Sequence, residues 1–515
     1  MGFAFIPQAG IEDDEALIAS SAYGGATQEL KILGHNVPLM LMSYVGALKT
    51  WIFAPIFRIW RPSPTSLRVP VILIGGFTIW LFYRLLARIG TPRAAIVGCL
   101  LLSTDTVFFL TTCFDWGPVA LQHMLLVSGV LCLVRFHQED RLRFLAAGFF
   151  LFGLALWDKA LFAWILTGMA IGALIVFPGE LRRSFKAVNV IVATLCLCLG
   201  AAPLIFYNIS FPLNTLRSST GYSSHFLPQK ISNLLSALDG HALFGYLARN
   251  DPAGLPRIPQ GAIERISIQV SEATGHSRAG FFGYALFAGI LIIPWLWSTP
   301  MRRPILFSAI SMLVAWLQMI FTKDAGMAAH HVILLWPFPT LVVAMALAQV
   351  SGMVGRLGKP LLVTAVLFLA STNALVTNEY FATLVRNGAG IVWTDAIFPL
   401  SDYLKRVKPE VIYIDDWGIY DPLSMLSRGE LPLQNGSGPL SKPHLDLLDR
   451  RVVLDRISEK GAVFVSHTAE TEMLKGVNSK LEALTGEAGY RRETVAEIGD
   501  RNGRIIFDVF RFSRK

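Results

Sequence analysis

Several ionisable groups stand at the ends of apolar segments, where a charge is costly unless it has a use. The first is Glu12-Asp13-Asp14-Glu15, followed by Ala-Leu-Ile-Ala. Others are Lys49 in GALKTW, Asp115 in FDWGPVAL and Asp158-Lys159 in WDKAL. The last is Lys323-Asp324 with His330-His331, just before VILLWPFP. Singly, each reads equally well as an interfacial charge that sets the depth of a span. Together, carboxylates and cations on one side suit transfer of a glycosyl group from a lipid phosphate. A carboxylate takes the proton from the attacking hydroxyl or amine. Cations hold the phosphate, whose negative charge grows as it leaves. A phosphate diester leaves readily, so no separate general acid is needed.

Positioning these groups falls to a membrane bundle. Of the 515 residues, 53% are hydrophobic and 16% charged, and the mean hydropathy is +0.51. This excludes an ordinary soluble globular chain. The net charge of +9 comes from basic residues in short loops between apolar runs, so nucleic acid is not expected as a partner. The five cysteines lie in or beside apolar runs and encode neither a disulfide framework nor a thiolate metal site. Apolar runs of spanning length fall near 69–86, 94–113, 117–135, 144–157, 160–178, 187–207, 280–298, 304–322, 331–349 and 360–377. The second contains Asp105, so it is expected to end early, with that carboxylate in a wet outer cavity.

Orientation follows from the basic loops. Arg84, Arg88 and Arg93 share one side with Arg135, Arg141 and Arg143, then Arg182, Arg183 and Lys186, Arg302 and Arg303, and Arg356 and Lys359. That side is cytoplasmic, so every motif above is external and the chain reads as a multi-pass inner-membrane protein. Residues 1–68 are then an external catalytic loop with interfacial helices over 38–60. Met1-Gly-Phe-Ala-Phe-Ile reads as the tail of a further membrane helix upstream. Residues 69–377 form the bundle of about ten spans, with a large external loop near 208–279 that could cover the site as a lid. Residues 378–515 read as a small soluble external α/β domain, with strands at 411–415, 462–466 and 504–510. Asp415-Asp416 in this domain reads as a solvated strand end.

Asp14-Glu15-Ala-Leu-Ile-Ala19 resembles the DE motif of GT-C glycosyltransferases. These include the lipid A aminoarabinose transferases and the protein O-mannosyltransferases (glycosyltransferase family 39 and relatives). The resemblance implies an α-helical polytopic GT-C bundle, with Asp14 as catalytic base and Glu15 supporting it. Asp115-Trp-Gly-Pro118 is similar to the family's second external acid. GLALWDKALFAW resembles its GLA…TKG stretch, which makes Lys159 a candidate phosphate ligand beside Asp158; Lys49 joins it. His330-His331-Val-Ile-Leu-Leu-Trp-Pro337 resembles the family's Arg-Tyr-Leu-Leu-Pro start of a late span, adding His330 and His331 to the substrate-binding set. The Lys-Pro-Pro-Leu motif of aminoarabinose transferases appears only as His35-Asn-Val-Pro38-Leu39, which argues against that sugar.

The implied partners are a polyprenyl-phosphate sugar, a lipid, protein or glycan acceptor, and membrane lipids. No cofactor is required by these residues. A divalent ion is compatible with Asp14, Asp115, Asp324 and the histidines, although adjacent His330 and His331 cannot both face one point on a regular helix. Two other readings stay open. A transporter or flippase of lipid-linked sugars would keep its polar breaks in paired repeats near mid-membrane. A lipid-diphosphate-glycan ligase or polymerase would rely on Arg and His in a large external loop.

Overall fold

The computed structural model describes residues 2–24, 26, 28–32, 35–219, 221–252, 257–323 and 325–515. Asp324, one of the metal candidates, lies outside them. After the short helix α1 (Asp13–Ser20), strands β1 (Gln28–Ile32) and β2 (His35–Met40) form an antiparallel hairpin. Helix α2 (Leu48–Ile59) follows. Interfacial helix was expected across 38–60, and the hairpin takes its first part. Pro38 lacks an N–H for a sheet ladder, and a two-stranded ribbon with free edges tolerates that.

The bundle comprises α3 (Pro64–Ile89), α4 (Pro92–Thr104), α5 (Thr106–Cys113), α6 (Val119–Glu139), α7 (Leu142–Asp158), α8 (Phe162–Val176), α9 (Ala187–Gly200) and α10 (Ala202–Ser210). Two helices, α11 (Leu227–Asp239) and α12 (Ala262–Ala273), lie in the long connection. The rest are α13 (Phe282–Leu291), α14 (Arg302–Phe321), α15 (Ala329–Leu335), α16 (Phe338–Met353) and α17 (Gly358–Asn387). Among the described residues, α3, α6, α14 and α17 are each long and apolar enough to cross a membrane. Up to four further crossings are bent pairs: α4–α5 (59°), α8 with Pro178–Ser184 (104°), α9–α10 (69°) and α15–α16 (44°). Against the ten spans expected, this gives up to eight by length and composition; α7 and α13 are 17 and 10 residues long.

Local signals set the breaks. Ser63 and Ser66 cap α3 reciprocally, with Pro64 at its first turn. Thr91 caps α4, and Pro92 opens it. Asp105 breaks the α4–α5 span as expected, but not into water. It is 2% exposed, caps α5 by accepting from the Phe108 N–H (2.9 Å) and accepts from Trp336 Nε1 (2.8 Å). A buried carboxylate with two donors is tolerable where a bare one is not. Between α7 and α9, a Cβ on Gly153 would lie 2.3 Å from the Leu197 carbonyl oxygen. The two backbones therefore touch directly, as small residues permit.

Helix α17 continues past 377 to Asn387 and leads into the C-terminal domain. There α18 (Ile397–Val407), β3 (Val411–Ile414), α19 (Tyr420–Ser427), β4 (Leu433–Asn435), α20 (Leu447–Ser458), β5 (Ala462–His467), α21 (Val477–Glu487), β6 (Tyr490–Gly499) and β7 (Ile505–Arg514) follow in order. The sheet order is β4-β3-β5-β7-β6, with β3 parallel to both its neighbours and the other pairs antiparallel. Leu400, Ile412, Leu423 and Phe507 fill one face, and Val453, Phe464, Leu481 and Phe510 the other. Central strand β5 is buried along its whole length, as its apolar run AVFV requires.

Candidate active site

The acidic cluster becomes the start of α1. Glu12 caps the helix: its Oε2 accepts from the backbone N–H groups of Asp14 (2.7 Å) and Glu15 (3.3 Å). Successive residues on a helix diverge by about 100°, so Asp14 and Glu15 point apart. Glu15 is fully buried and takes a bidentate pair from Arg68, Nε at 2.7 Å and Nη2 at 2.8 Å. Arg68 also donates to the carbonyls of Ile6 (2.7 Å), Ala9 (3.2 Å) and Gly10. Glu15, expected to support Asp14 in the site, is thus an anchor tying α1 to span α3.

Asp14 opens onto a narrow cleft shared with Tyr44, Gly117, Pro118, Lys159 and His330. Trp116 Nε1 donates to Asp14 Oδ2 at 3.3 Å. Tyr246 stacks on Trp116, with centroids 4.7 Å apart and planes at 10°, and its hydroxyl donates to Glu12 Oε1 at 3.0 Å. Burial raises the Asp14 carboxyl above its ordinary value, while the Lys159 charge and the Trp116 N–H pull it down. Burial pushes the Lys159 ammonium down to about 8, against the pull of Asp14 and Asp158.

Main-chain contacts place Lys159. Val45 pairs with it in an antiparallel bridge. The Gly46 N–H donates to the Asp158 carbonyl (3.1 Å), and the Ala160 N–H to that of Tyr44 (2.9 Å). A Cβ on Gly46 would sit 2.0 Å from the Trp157 carbonyl oxygen, so only glycine fits this approach.

The other expected site residues separate from this pair. Lys49, expected to hold phosphate, is 1% exposed and donates to the Asp115 carboxylate and to the Gly117 carbonyl (2.6 Å). It braces the 114–118 turn, where Asp115 adopts φ +49°. Asp115 is itself fully buried, so it meets Lys49 rather than the cleft. Asp158 is 0% exposed, accepts from Gln122 Nε2 at 2.8 Å and does not line the cleft. His330 lies on the cleft wall with its ring 4.6 Å from Trp116. His331 contacts the His330 ring at 4.2 Å without lining the cleft, as adjacency on a helix dictates.

Four supporting residues escaped the sequence reading in these roles: Glu12 as cap, Arg68, Trp116 and Tyr246. Trp116 adjoins Asp115 in FDWGP, which was a usable signal. Tyr246 carries none, because it arrives from a distant loop. The described residues do not form a site for a resident divalent ion. Among the described residues no three His, Cys, Asp or Glu side chains converge to hold one, and Lys49 and Arg68 occupy the Asp115 and Glu15 carboxylates.

Comparison with known proteins agrees with this architecture. Residues 46–207 match the family model described as dolichyl-phosphate-mannose-protein mannosyltransferase. The segment contains Lys49, Asp115, Asp158 and Lys159, and Asp14 precedes it. No curated protein matches the chain significantly. The fold is similar to that of ArnT from Cupriavidus metallidurans bound to undecaprenyl phosphate, with TM-score 0.58 and 15% identity over 99% of this chain and 95% of that one. Apo ArnT gives TM-score 0.59 and 15% identity over 98% and 96%. The Archaeoglobus fulgidus oligosaccharyltransferase in complex with Zn and sulfate gives 0.52 and 13% over 96% and 69%. Identities this low show the fold alone, an ArnT-like helical bundle with a small sheet domain at the C-terminus.

Proposed function

We propose that this GT-C-fold membrane transferase moves a monosaccharide from a polyprenyl-phosphate donor to an acceptor, with Asp14 as base. The observation that carries the reading is Asp14 and Lys159 lining one cleft beside His330. The turns that supply Asp14's neighbour Trp116, and Lys159 itself, alternate along the chain with the Arg- and Lys-rich loops. That alternation supports an external site in an inner membrane.

In this mechanism the acceptor O–H or N–H gives its proton to the Asp14 carboxylate as it attacks the anomeric carbon. The bond from that carbon to the phosphate oxygen breaks on the opposite face, and the phosphate leaves with the electron pair. Attack opposite the leaving group inverts the anomeric configuration. Lys159, still protonated at neutral pH, stabilises the growing phosphate charge in a partly dry cleft. His330 is placed to hydrogen-bond donor or sugar. Trp116 and Tyr246 fix the direction in which Asp14 points. The 46–207 family match and the undecaprenyl-phosphate complex of ArnT support the lipid-phosphate donor.

Full-length protein in vesicles, given radiolabelled polyprenyl-phosphate sugars and a membrane-lipid or peptide acceptor, tests this directly. Wild type should consume one donor and Asp14→Asn none. Transfer by Asp14→Asn at the wild-type rate would overturn the base assignment. Passage of intact lipid-linked sugar across the vesicle without transfer would favour a flippase.

A further inference from the structure

From the sequence, the connection between α10 and α13 reads equally as a lid over the site or as a plain structural connection. Its two helices have an unusual distribution of side chains. On α12, the buried positions are polar: Glu264, Ser267 and Ser271. Ser267 and Asn378 bond twice, Oγ to carbonyl at 3.3 Å and Nδ2 to carbonyl at 2.9 Å, and Ser271 Oγ donates to Glu379 Oε2 at 2.5 Å. The outward surface divides in two. Ile263 (63% exposed), Ile266 (58%) and half-buried Val270 form one stripe. Arg265, Gln269 and Glu272 form the other, about 120° around the helix at 3.6 residues per turn.

Helix α11 repeats the arrangement. Lys230 is buried and donates to the carbonyls of Met319 (3.3 Å), Ile320 (3.0 Å) and Thr322 (2.5 Å) at the end of α14. Asn233 donates to the Gly326 carbonyl at 3.0 Å. Ile231 and Leu235 face outward, and Gln229 and Ser232 lie beside them. In water, α12 would turn its polar side inward and its isoleucines outward, and α11, which also packs Leu234, Ala237 and Leu238 on the core, would leave Ile231 and Leu235 uncovered. Three sectors, one held by the protein, one apolar and outward, one polar and outward, suit a helix lying where protein, hydrocarbon and water meet.

Depth agrees with this. Counted from Arg302 beside the basic loop, Ile320 lies ~27 Å along α14 at the helical rise. Counted from Gly358, Asn378 lies ~30 Å along α17. Both distances match the ~30 Å hydrocarbon thickness, so α11 and α12 are bolted to the spans at the outer boundary. The apolar surface is also continuous with the span surface. Phe281, which follows α12, packs on Phe368 of α17 at 5.1 Å, and Tyr284 and Phe287 of α13 are exposed beside it.

We infer that α11 and α12 are a pair of interfacial helices whose apolar stripes contact phospholipid acyl chains of the outer leaflet. Tyr246, which reaches Trp116 and Glu12 from between them, is thereby held by a membrane-anchored segment. This rests on the membrane-spanning fold alone and stands whether or not sugar transfer is the activity.

The full chain in phosphatidylethanolamine–phosphatidylglycerol vesicles, with native cysteines kept and the parent as background, tests it with a charged, impermeant maleimide. Leu447→Cys, at a position 87% exposed on α20, reports the accessible fraction. Arg265→Cys should label at about the same rate as Leu447→Cys. Ile266→Cys and Leu235→Cys should label at least about tenfold more slowly, because a thiol in hydrocarbon does not ionise. Equal labelling at all four positions would make the helices a lid in water and overturn the inference. Benzoylphenylalanine in place of Ile266 should, on irradiation, add phospholipid mass; a protein–protein adduct instead would overturn it too. Leu235→Cys and its photoreactive counterpart give the same readout if the Ile266 variants do not fold.

Discussion

Asp13-Asp14 opens helix α1 at the edge of a cleft, and Asp415-Asp416 closes strand β3 inside the C-terminal domain. Both pairs are adjacent carboxylates at the end of an element, and the sequence reading gave them opposite prospects for the wrong reason in one case. Asp415-Asp416 is not solvated: the two residues are 2% and 3% exposed. Asp416 accepts from the Trp417 (2.8 Å), Met473 (2.9 Å) and Leu474 (2.8 Å) N–H groups and from His467 Nδ1 (2.9 Å). Burial pushes that carboxyl up, but His467 and the amides outweigh it and hold it below its ordinary value. Among the described residues, Asp14 has only the 3.3 Å bond from Trp116 as a side-chain partner, and burial prevails there. The number of donors, rather than residue type, separates a carboxylate free to take a proton from one fully engaged as a strut.

The comparison can be broken at either end. The largest effect is expected from Asp14→Asn, which removes the base and should lower transfer by about 10²–10⁴-fold. Its unfolding midpoint should stay near wild type. Lys159→Gln should cost about 10²-fold in transfer, by loss of one charge stabiliser, with the deficit shown in single-turnover rates. Asp416→Asn should do the reverse. It should destabilise the C-terminal domain by about 2–3 kcal/mol through weakened charge-assisted bonds, read by denaturant unfolding, with normal transfer per folded molecule. A stable Asp416→Asn that has lost transfer would erase the distinction.

The pH dependence sharpens the same contrast. Asp14 works as an anion and its pKa is raised, so transfer should fall with acid above the ordinary 3.8 of a carboxyl. It should fall again as alkali passes about 8 and Lys159 loses its proton. Asp416 has a depressed folded value. Its contribution to stability is complete above 3.8, its unfolded value, and is lost as the pH drops through the folded one. Activity should therefore disappear on acidification before this contribution to the fold does, and coincident losses would contradict the assignment. The smallest effect is expected from Tyr246→Phe. Removing one hydrogen bond to Glu12 is worth about 1 kcal/mol, or about fivefold in rate.

The membrane class and the three strand segments of the C-terminal domain were legible because they depend on local composition and period. VIYI, AVFVSH and IIFDVF announce strands within their own length. The β1–β2 hairpin was not legible, since the stretch from Pro38 reads as interfacial helix until a partner strand is in place. Lys49 and Lys159 look alike in sequence. Only the fold reveals that Asp115 engages the first, 66 residues away. Glu15 and Asp14 likewise differ only through Arg68, and Tyr246 reaches the site from a loop 234 residues beyond Glu12. Charge type and chain order cannot report which opposite charge a residue will meet.

Arg68 has a mechanical consequence. It belongs to span α3, yet it grips Glu15 with two bonds and the 6–10 segment with three more. Tilting α1 away from the bundle would strand a buried guanidinium and a buried carboxylate, at a cost of about 3–5 kcal/mol. The helix that carries Asp14 is therefore welded to the membrane frame.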